Sequence, residues 1–486
     1  MTNATEVLSE FNIGNSVAEF DEKLDKYFFE TDTFRSVIRS EFDVIAGDKG
    51  TGKTAIYRVL KRSYRHYSEL ESVEIVDAFN VQGNPIFQRL LRAPALSEGQ
   101  YRTFWKAYIF SLLGNYLIDI YGPEYNEDLR NLKNTLDHLD LTSADTTPAT
   151  IFGNLHNLVL RLCRPKSIEA GISISESGLP VVVPKVEFGD EIEEGTEVYS
   201  DDFLKTLHNA ASSTDLQYWV LFDRLDEAFQ EDPKVEVPAL RALFRAYLDL
   251  FEFESFRLKL FVRRDLFRRI IVGGFVNLTH INARKIEILW DEDDLVDMLV
   301  SRVKDSDKLV EVCGLENKRN DEIFDIVFPA QVDVGERKPS TKTWMMSRIS
   351  DGNGVRAPRN LIDLVNKAKE NQNRKDVREP RDLDSLKGPL IESSSIKKAI
   401  SQLSEQRVQD TLLAEAYNFS AAIEAFRSGK SEHSHNTLKR LLEPHGEYEH
   451  LLRGLVEMGF LEKFGASFKV PMLYRDGLKI TQGKAS

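Results

Sequence analysis

The chain has 486 residues, 42% hydrophobic and 29% charged, which suits two to four soluble domains with buried cores and excludes a small disulfide-stapled scaffold. Its net charge of −14 opposes a polyanion or an anionic membrane surface, so any DNA contact must be local. Cys163 and Cys313 stand far apart without a CxxC pair, the N-terminus lacks the basic-then-apolar layout of a signal peptide, and no apolar run approaches a membrane span. The sequence therefore predicts a cytoplasmic protein with reduced thiols and no membrane partner.

Residues 1–41 read as a helical lead-in, because Val17, Phe20, Leu24, Tyr27 and Phe28 repeat at helical spacing; such a helix would cover one side of a sheet. Phe42, Val44, Ile45 and Ala46 then form the short apolar run of a strand buried on both faces. Gly47-Asp48-Lys49-Gly50-Thr51-Gly52-Lys53-Thr54 follows, a glycine turn that lets main-chain N–H groups converge on anionic oxygens at the start of a helix. Lys53 is placed for β- and γ-phosphates, and the Thr54 hydroxyl is a hard ligand suited to Mg²⁺. Ile56, Val59, Leu60 and Tyr64 give the next helix one apolar face. Asp48 is unusual beside phosphate, and Lys49 is the neighbour that can offset its charge.

Val73–Phe79 predicts a second buried strand, ended by the turn cluster Asn80, Gly83, Asn84, Pro85. From 101 to 121 a long helix carries Phe104, Trp105, Tyr108, Ile109, Leu112, Leu113, Tyr116, Leu117 and Ile120 on one wide face, a core face rather than a base-stacking platform. An insertion spans about 122–200: a polar breaker at Ser143–Pro148, a β-ribbon near 168–188, and an acidic run Asp190, Glu191, Glu193, Glu194 that reads as a solvated loop.

After a helix near Asp202–Ala211, Tyr218–Phe222 is a central strand, and Asp223 is the first residue past its carboxyl end. That is the edge of a parallel sheet where ligands bind, so Asp223 is placed to hold Mg²⁺ opposite Thr54. A register ending the strand at Asp226-Glu227 would bury Asp223 and Arg224, at a cost of about several kcal/mol. Asp226 and Glu227 are instead the nearest acids to orient or deprotonate an attacking water. A helix at about Val237–Phe253 leads to the strand Leu258–Val262, which ends at Arg263-Arg264-Asp265. An arginine there can read or neutralise a γ-phosphate, or pair with Asp265. Ile286–Leu289 reads as the last strand, and Trp290–Asp294 opens a helix with acids in its first turn.

Residues 305–370 read as helical, closing with Pro358 in the first turn of a helix that carries Arg359, either a nucleotide-facing arginine of a lid or a surface one. The charged stretch 371–388 with Pro380 reads as a linker. Beyond it, helices near 394–403, 405–417, 419–427, 435–442 and 448–463 precede a short β element at 467–474, the sequence shape of a winged helix. Its acids and bases balance, so protein contact and DNA contact both stay open. His433, His435, His445 and His450 lack the spacing of a metal site.

Phosphate loop, strand-end aspartate, arginine-ended strand, Pro-Arg helix and winged helix, in this order, resemble bacterial P-loop ATPases of the AAA+ and STAND kind. The segment Tyr27-Phe28-Phe29-Glu30-Thr31 before the loop resembles one group of them, and the likeness covers roughly residues 15–480. It implies an α/β fold: a parallel P-loop sheet sandwiched by helices over 42–290, an all-α lid over 291–370, the linker 371–388 and a winged-helix domain over 389–486. It further implies ATP and Mg²⁺ as cofactors, with Arg264 and Arg359 reporting the γ-phosphate. Such proteins act as nucleotide-driven subunits of homo-oligomers or larger assemblies, often in anti-phage or mobile-element systems. Two departures stand out. Arg224 occupies the place after the strand-end aspartate where AAA+ motors carry glutamate, which is closer to the slow, switching STAND pattern. Arg263 and Arg264 stand where AAA+ proteins place a smaller polar residue. Arg241, Arg245 and Arg302 are all candidates for an arginine acting in trans.

Overall fold

Runs of β-branched and aromatic residues become the strands β1 (Val44–Gly47), β2 (Val73–Asp77), β3 (Glu169–Ile174), β4 (Pro180–Lys185), β5 (Gln217–Phe222), β6 (Phe256–Arg263) and β7 (Lys285–Glu287). In this computed structural model, residues 4–78, 96–142, 155, 158, 169–174, 180–185, 194–225, 227, 233–272, 274–382, 388–414 and 416–485 are described. The readings made at Asn80, Gly83, Asn84 and Pro85, at 143–148, at Cys163, at Asp190, Glu191 and Glu193, and at Asp226 lie outside them. Among the described residues, a five-stranded parallel sheet has the order β2-β5-β6-β1-β7, and β3 pairs antiparallel with β4 as a separate ribbon. Burial of every residue of β1, and of all but the first of β5, accounts for their unbroken apolar runs. Among the described residues no helix is long and apolar enough to cross a membrane.

The chain divides into two compact units, Met1–Ser36 with Ala46–Arg62 and Glu287–Ser486, and Val37–Ile45 with Ser63–Ile286. In the second, the aromatic helix runs from Glu98 to Tyr121, three residues earlier than its apolar pattern suggests, because Ser97 and Gln100 form a capping box. Its stripe is core, as expected. Trp105 is fully buried, donates Nε1–H to the Ala239 carbonyl at 2.8 Å, and meets Phe222 edge to face. Ile120, at the end of the stripe, is exposed. Asp43 and Lys259 are wholly buried and paired at 2.9 Å, with Arg284 Nε and Tyr247 OH also donating to Asp43 at 3.0 and 3.1 Å.

The first unit holds one continuous apolar core. It runs from Val7 and Leu8 of the helix Ala4–Glu10 and Phe11 just past it, through the helices Glu292–Lys304 and Pro358–Arg378, to Leu451, Phe460 and Leu473 near the C-terminus. Three expectations change here. The stretch 17–28 is not one helix but a 3₁₀ turn Ala18–Phe20 and a single helical turn Leu24–Tyr27. Asn15 accepts from Val17 N at 2.8 Å, and buried Asp21 turns inward to Arg302, so side chains compete with a helical ladder and leave Phe20 70% exposed. The charged stretch after 370 is not wholly linker, since the helix continues to Arg378. Gln372 and Asp376 are fully buried in it, bonded to each other at 2.8 Å, and Arg381 closes on Asp376 at 2.7 Å. The helices expected near 394–403 and 405–417 are instead one α-helix, Ser393–Arg407, followed by a π turn over Val408–Leu413.

The C-terminal strands are β8 (Lys430–Ser434), which the sequence pattern had not singled out, β9 (Glu462–Phe464), β10 (Ser467–Lys469) and β11 (Thr481–Lys484), in the order β11-β8-β10-β9. With the helices His435–Leu442 and Tyr448–Glu457 between β8 and β9, this is the expected winged helix. β8 lay hidden because its Lys-Ser-Glu-His-Ser sequence is polar and only Ser431 and His433 point inward.

Candidate functional site

The phosphate loop starts at the end of β1, and its helix spans Lys53–Ser63 with Ile56, Tyr57, Val59 and Leu60 buried. Gly50 (φ +78°) and Gly52 (φ +103°) take the left-handed backbone that only glycine adopts at little cost. Thr51 locks the turn, donating Oγ1–H to the Asp48 carbonyl at 2.8 Å. Lys53 Nζ donates to the Gly47 and Asp48 carbonyls, both at 2.9 Å, which holds the ammonium at the mouth of the loop. Trp290 Nε1 donates to the Thr51 carbonyl at 2.8 Å, so the residue three past β7 braces the loop from its side.

The loop opens into a cavity of about 860 Å³, part of it continuous with solvent, formed entirely within the first unit. Gly50 to Ile56 form one wall. Asn15, Glu19, Tyr27, Phe28 and Phe29 form another, and Trp290, Arg302, Arg359 and Ile362 complete it. The Tyr-Phe-x-Glu-Thr segment therefore has a local job: Thr31 accepts from Phe34 N at 3.2 Å, starting the helix Asp32–Ile38, while the aromatic residues before it face the cavity. Arg302 keeps this wall in place. It is 5% exposed, donates to the Ile13 carbonyl at 2.6 Å and to Asp21 at 2.9 Å, and lies 4.4 Å from the centre of the Tyr27 ring. An arginine so enclosed cannot act in trans.

Arg359 is the second residue of its helix, after Pro358 at the first position, and its amide reaches the Gly50 carbonyl at 3.5 Å. Its Nε is buried with no hydrogen-bond partner, and burial followed by the nearby Arg407 cation depresses its guanidinium from the ordinary value. A desolvated arginine beside a phosphate loop is a site that an anion would satisfy.

The remaining predicted residues belong to the second unit. β5 ends at Phe222, so Asp223 is the first residue past the strand, and it is 4% exposed. Arg224 follows in the left-handed region (φ 54°), and its guanidinium meets Glu227 at 3.5 Å while Glu227 N donates to the Arg224 carbonyl at 2.9 Å. Asp223, Arg224 and Glu227 thus share one tight turn. Arg263 pairs with Asp265 through two hydrogen bonds of 3.0 and 3.2 Å, and Arg264 opens the helix Arg264–Ile271. Burial works to raise the Asp265 carboxyl, but Arg263 overrides it and holds the acid below its usual range. Arg241 is spent on the carbonyls of Ile270 and Val272, and Arg245 meets Glu98 at 2.5 Å.

Among the described residues no three His, Cys, Asp or Glu side chains gather into a cage for a metal. Mg²⁺ requires none, since it is held through one or two protein oxygens with phosphate and water, and within the first unit the Thr54 hydroxyl is an oxygen of that kind. Sequence reasoning missed the cavity wall from Asn15 to Phe29 and the brace at Trp290. Tryptophan just past the last strand was the signal available for the second.

No protein-family model matches the chain, and no curated protein matches it. Among solved structures, the ORC2 protein of Aeropyrum pernix in its ADPNP-ADP complexes is similar over 94% of this chain and 96% of its own, at 12% identity and a TM-score of 0.39. The ORC1 protein of the same organism in complex with DNA is similar over 96% of each chain, at 12% identity and a TM-score of 0.34. Likeness of this grade carries nothing about chemistry, which rests on the loop and its cavity.

Proposed function

We propose that the chain binds ATP with Mg²⁺ and hydrolyses it slowly, acting as a nucleotide-driven switch or regulatory subunit within a homo-oligomer or a larger assembly. The observation that carries this reading is the glycine loop with Lys53 at its mouth, opening into a cavity also lined by the half-buried Arg359, whose Nε has no hydrogen-bond partner. The loop amides and Lys53 hold phosphate, Thr54 and Asp223 hold the cation, and Glu227 or Asp226 orients the water. Arg359 reads the γ-phosphate from within the cavity, and Arg264 is kept as a second reader on the strength of its place at a strand end. The metal supplies charge neutralisation on the phosphates when bound. A part in anti-phage or mobile-element defence rests on the motif resemblance alone.

Slow turnover is supported by the Arg224–Glu227 pair, which engages one of the two acids proposed to handle the water. The extreme form of this reading is a nucleotide-gated scaffold with little hydrolysis. The other reading is a DNA initiator or loader gripping the duplex through the winged helix. Its helix Tyr448–Glu457 exposes Glu449 and Glu457 around Arg453, a face that weighs against phosphate contact. The deciding experiment combines ATP binding, turnover and size-resolved mass with and without ATP, on the wild type and Lys53→Ala. Nucleotide-dependent assembly lost in Lys53→Ala supports the switch, whereas normal ATP binding and turnover by Lys53→Ala would end it. DNA binding that falls steeply with salt would favour the loader.

A further inference from the structure

Arg359 is bracketed along the chain by one contact from the C-terminal winged domain and one from the helix that leads into it, all within the first unit. On one side lies the turn Asp351–Gly354, a few residues before it. Asp351 Oδ1 makes this turn rigid by accepting from Asn353 N and Val355 N, both at 2.9 Å, and Ser350 bridges Arg356 across it. The turn sits against the end of the helix Tyr448–Glu457: Gly352 N donates to the Gly459 carbonyl at 2.7 Å and Asn353 Nδ2 to the Glu457 carbonyl at 3.1 Å. A Cβ on Gly352 would stand 2.7 Å from the carbonyl carbon of Leu461, so the two backbones meet with no side chain between them.

On the other side lies Arg407, the last residue of the helix Ser393–Arg407 and 7% exposed. It donates Nε–H to Asn360 Oδ1 at 2.7 Å and closes an ion pair on Asp363, one turn beyond Arg359. Arg407 is also where the α-helix gives way to the π turn Val408–Leu413, a winding that is uncommon and gathers at functional sites. The turn before it already touches the winged domain, since Gly477 N donates to Ser404 Oγ at 2.9 Å. The half-buried Arg359 and the buried Arg407 therefore repel each other while sharing the field of Asp363, which pairs directly with Arg407.

Resting on the nucleotide reading above, we propose that Arg407 couples the nucleotide bound at Arg359 to the position of the winged domain. An anion reaching Arg359 removes the repulsion that the Arg407–Asp363 pair now balances, so the pair and the π turn have two arrangements to choose between. The coupling is reciprocal: whatever moves the winged domain changes the preference for ATP over ADP. Arg407 is a positioning residue, touching no nucleotide itself.

The test measures amide hydrogen exchange on the full chain loaded with ADPNP or with ADP, together with the two affinities. In the wild type, exchange within 408–413 and 455–461 differs between the two loaded forms. In Arg407→Met both nucleotides still bind, that difference disappears, and the ADPNP-over-ADP affinity ratio falls about fivefold or more, the lower end of ordinary coupling. Arg407→Lys, which keeps the charge but not the fork, falls between. Asp363→Asn carries the same comparison should Arg407→Met not fold, and a loss of packing alone would leave the affinity ratio unmoved. Folded variants with a wild-type exchange difference and ratio overturn the proposal. So does a wild type that binds both nucleotides with identical exchange in these segments, whereas a wild type that binds neither overturns the nucleotide reading itself.

Discussion

Arg359 lies directly on Gly50: a methyl group added to Gly50 would stand 3.0 Å from the Arg359 Cβ, and Gly50 itself has a φ of +78°. Gly50→Ala is therefore strained twice, by about 1–2 kcal/mol in the backbone and about 1–3 kcal/mol in packing. The expected outcome is a lower urea midpoint and at least tenfold weaker ATP binding. Unchanged ATP affinity would show that the loop and Arg359 are not one site.

Lys53 and Arg359 are expected to separate by nucleotide. Lys53→Ala removes a charged hydrogen bond to phosphates that ATP and ADP share, costing about 1.5–3 kcal/mol, or roughly 10- to 150-fold, for both. Arg359→Ala weakens ATP while leaving ADP within about threefold, because only the γ-phosphate is lost to it. Calorimetric titration of both nucleotides into each variant decides this. An equal loss for ATP and ADP in Arg359→Ala would return that residue to a structural role.

Glu227 is expected to act in turnover and not in binding. Glu227→Gln keeps ATP affinity within about threefold and slows hydrolysis by about 10²- to 10⁴-fold, read as phosphate release under saturating ATP. Turnover unchanged by Glu227→Gln but abolished by Asp226→Asn would move the water to the other acid, and no turnover in the wild type would favour the scaffold.

The buried pair beneath β1 sets a pH dependence. Lys259 is fully buried, and burial brings its pKa from 10.5 down to about 8 against the pull of Asp43. The folded chain therefore releases this proton before the unfolded chain does, and the Lys259 contribution to stability rises with pH between about 8 and 10.5. Burial works to raise Asp43, but Lys259 and Arg284 hold it below 3.8, so its contribution is present above that value and is lost as pH falls through the folded pKa. Lys259→Met should destabilise the fold at pH 7 by leaving the buried Asp43 charge with Arg284 as its one remaining cation and should flatten the alkaline slope in urea unfolding. A slope unchanged by the substitution would assign it to another group.

What the sequence determined by itself was local. Val44–Ala46 before a glycine turn and an amphipathic helix after it fix a phosphate loop because backbone preference and apolar period act within a dozen residues. The end of β5 at Phe222 was legible for the same reason, since burying Asp223 and Arg224 inside a strand is costly. The aromatic stripe of Glu98–Tyr121 declared its burial through spacing alone.

Only tertiary structure decided the rest. Residues 17–28 have helical spacing, but side-chain bonds from Asn15 and a buried Asp21 facing Arg302, 281 positions away, break the helix and make it a cavity wall. The helix through Gln372 and Asp376 looked like a charged linker until Arg381 and the chain beyond it supplied their partners. Arg407 carried no signal in sequence at all: its meaning comes from Asn360 and Asp363, 47 and 44 residues away. Spacing reports which face of an element is apolar, whereas the partner of a buried charge is set by where distant segments meet.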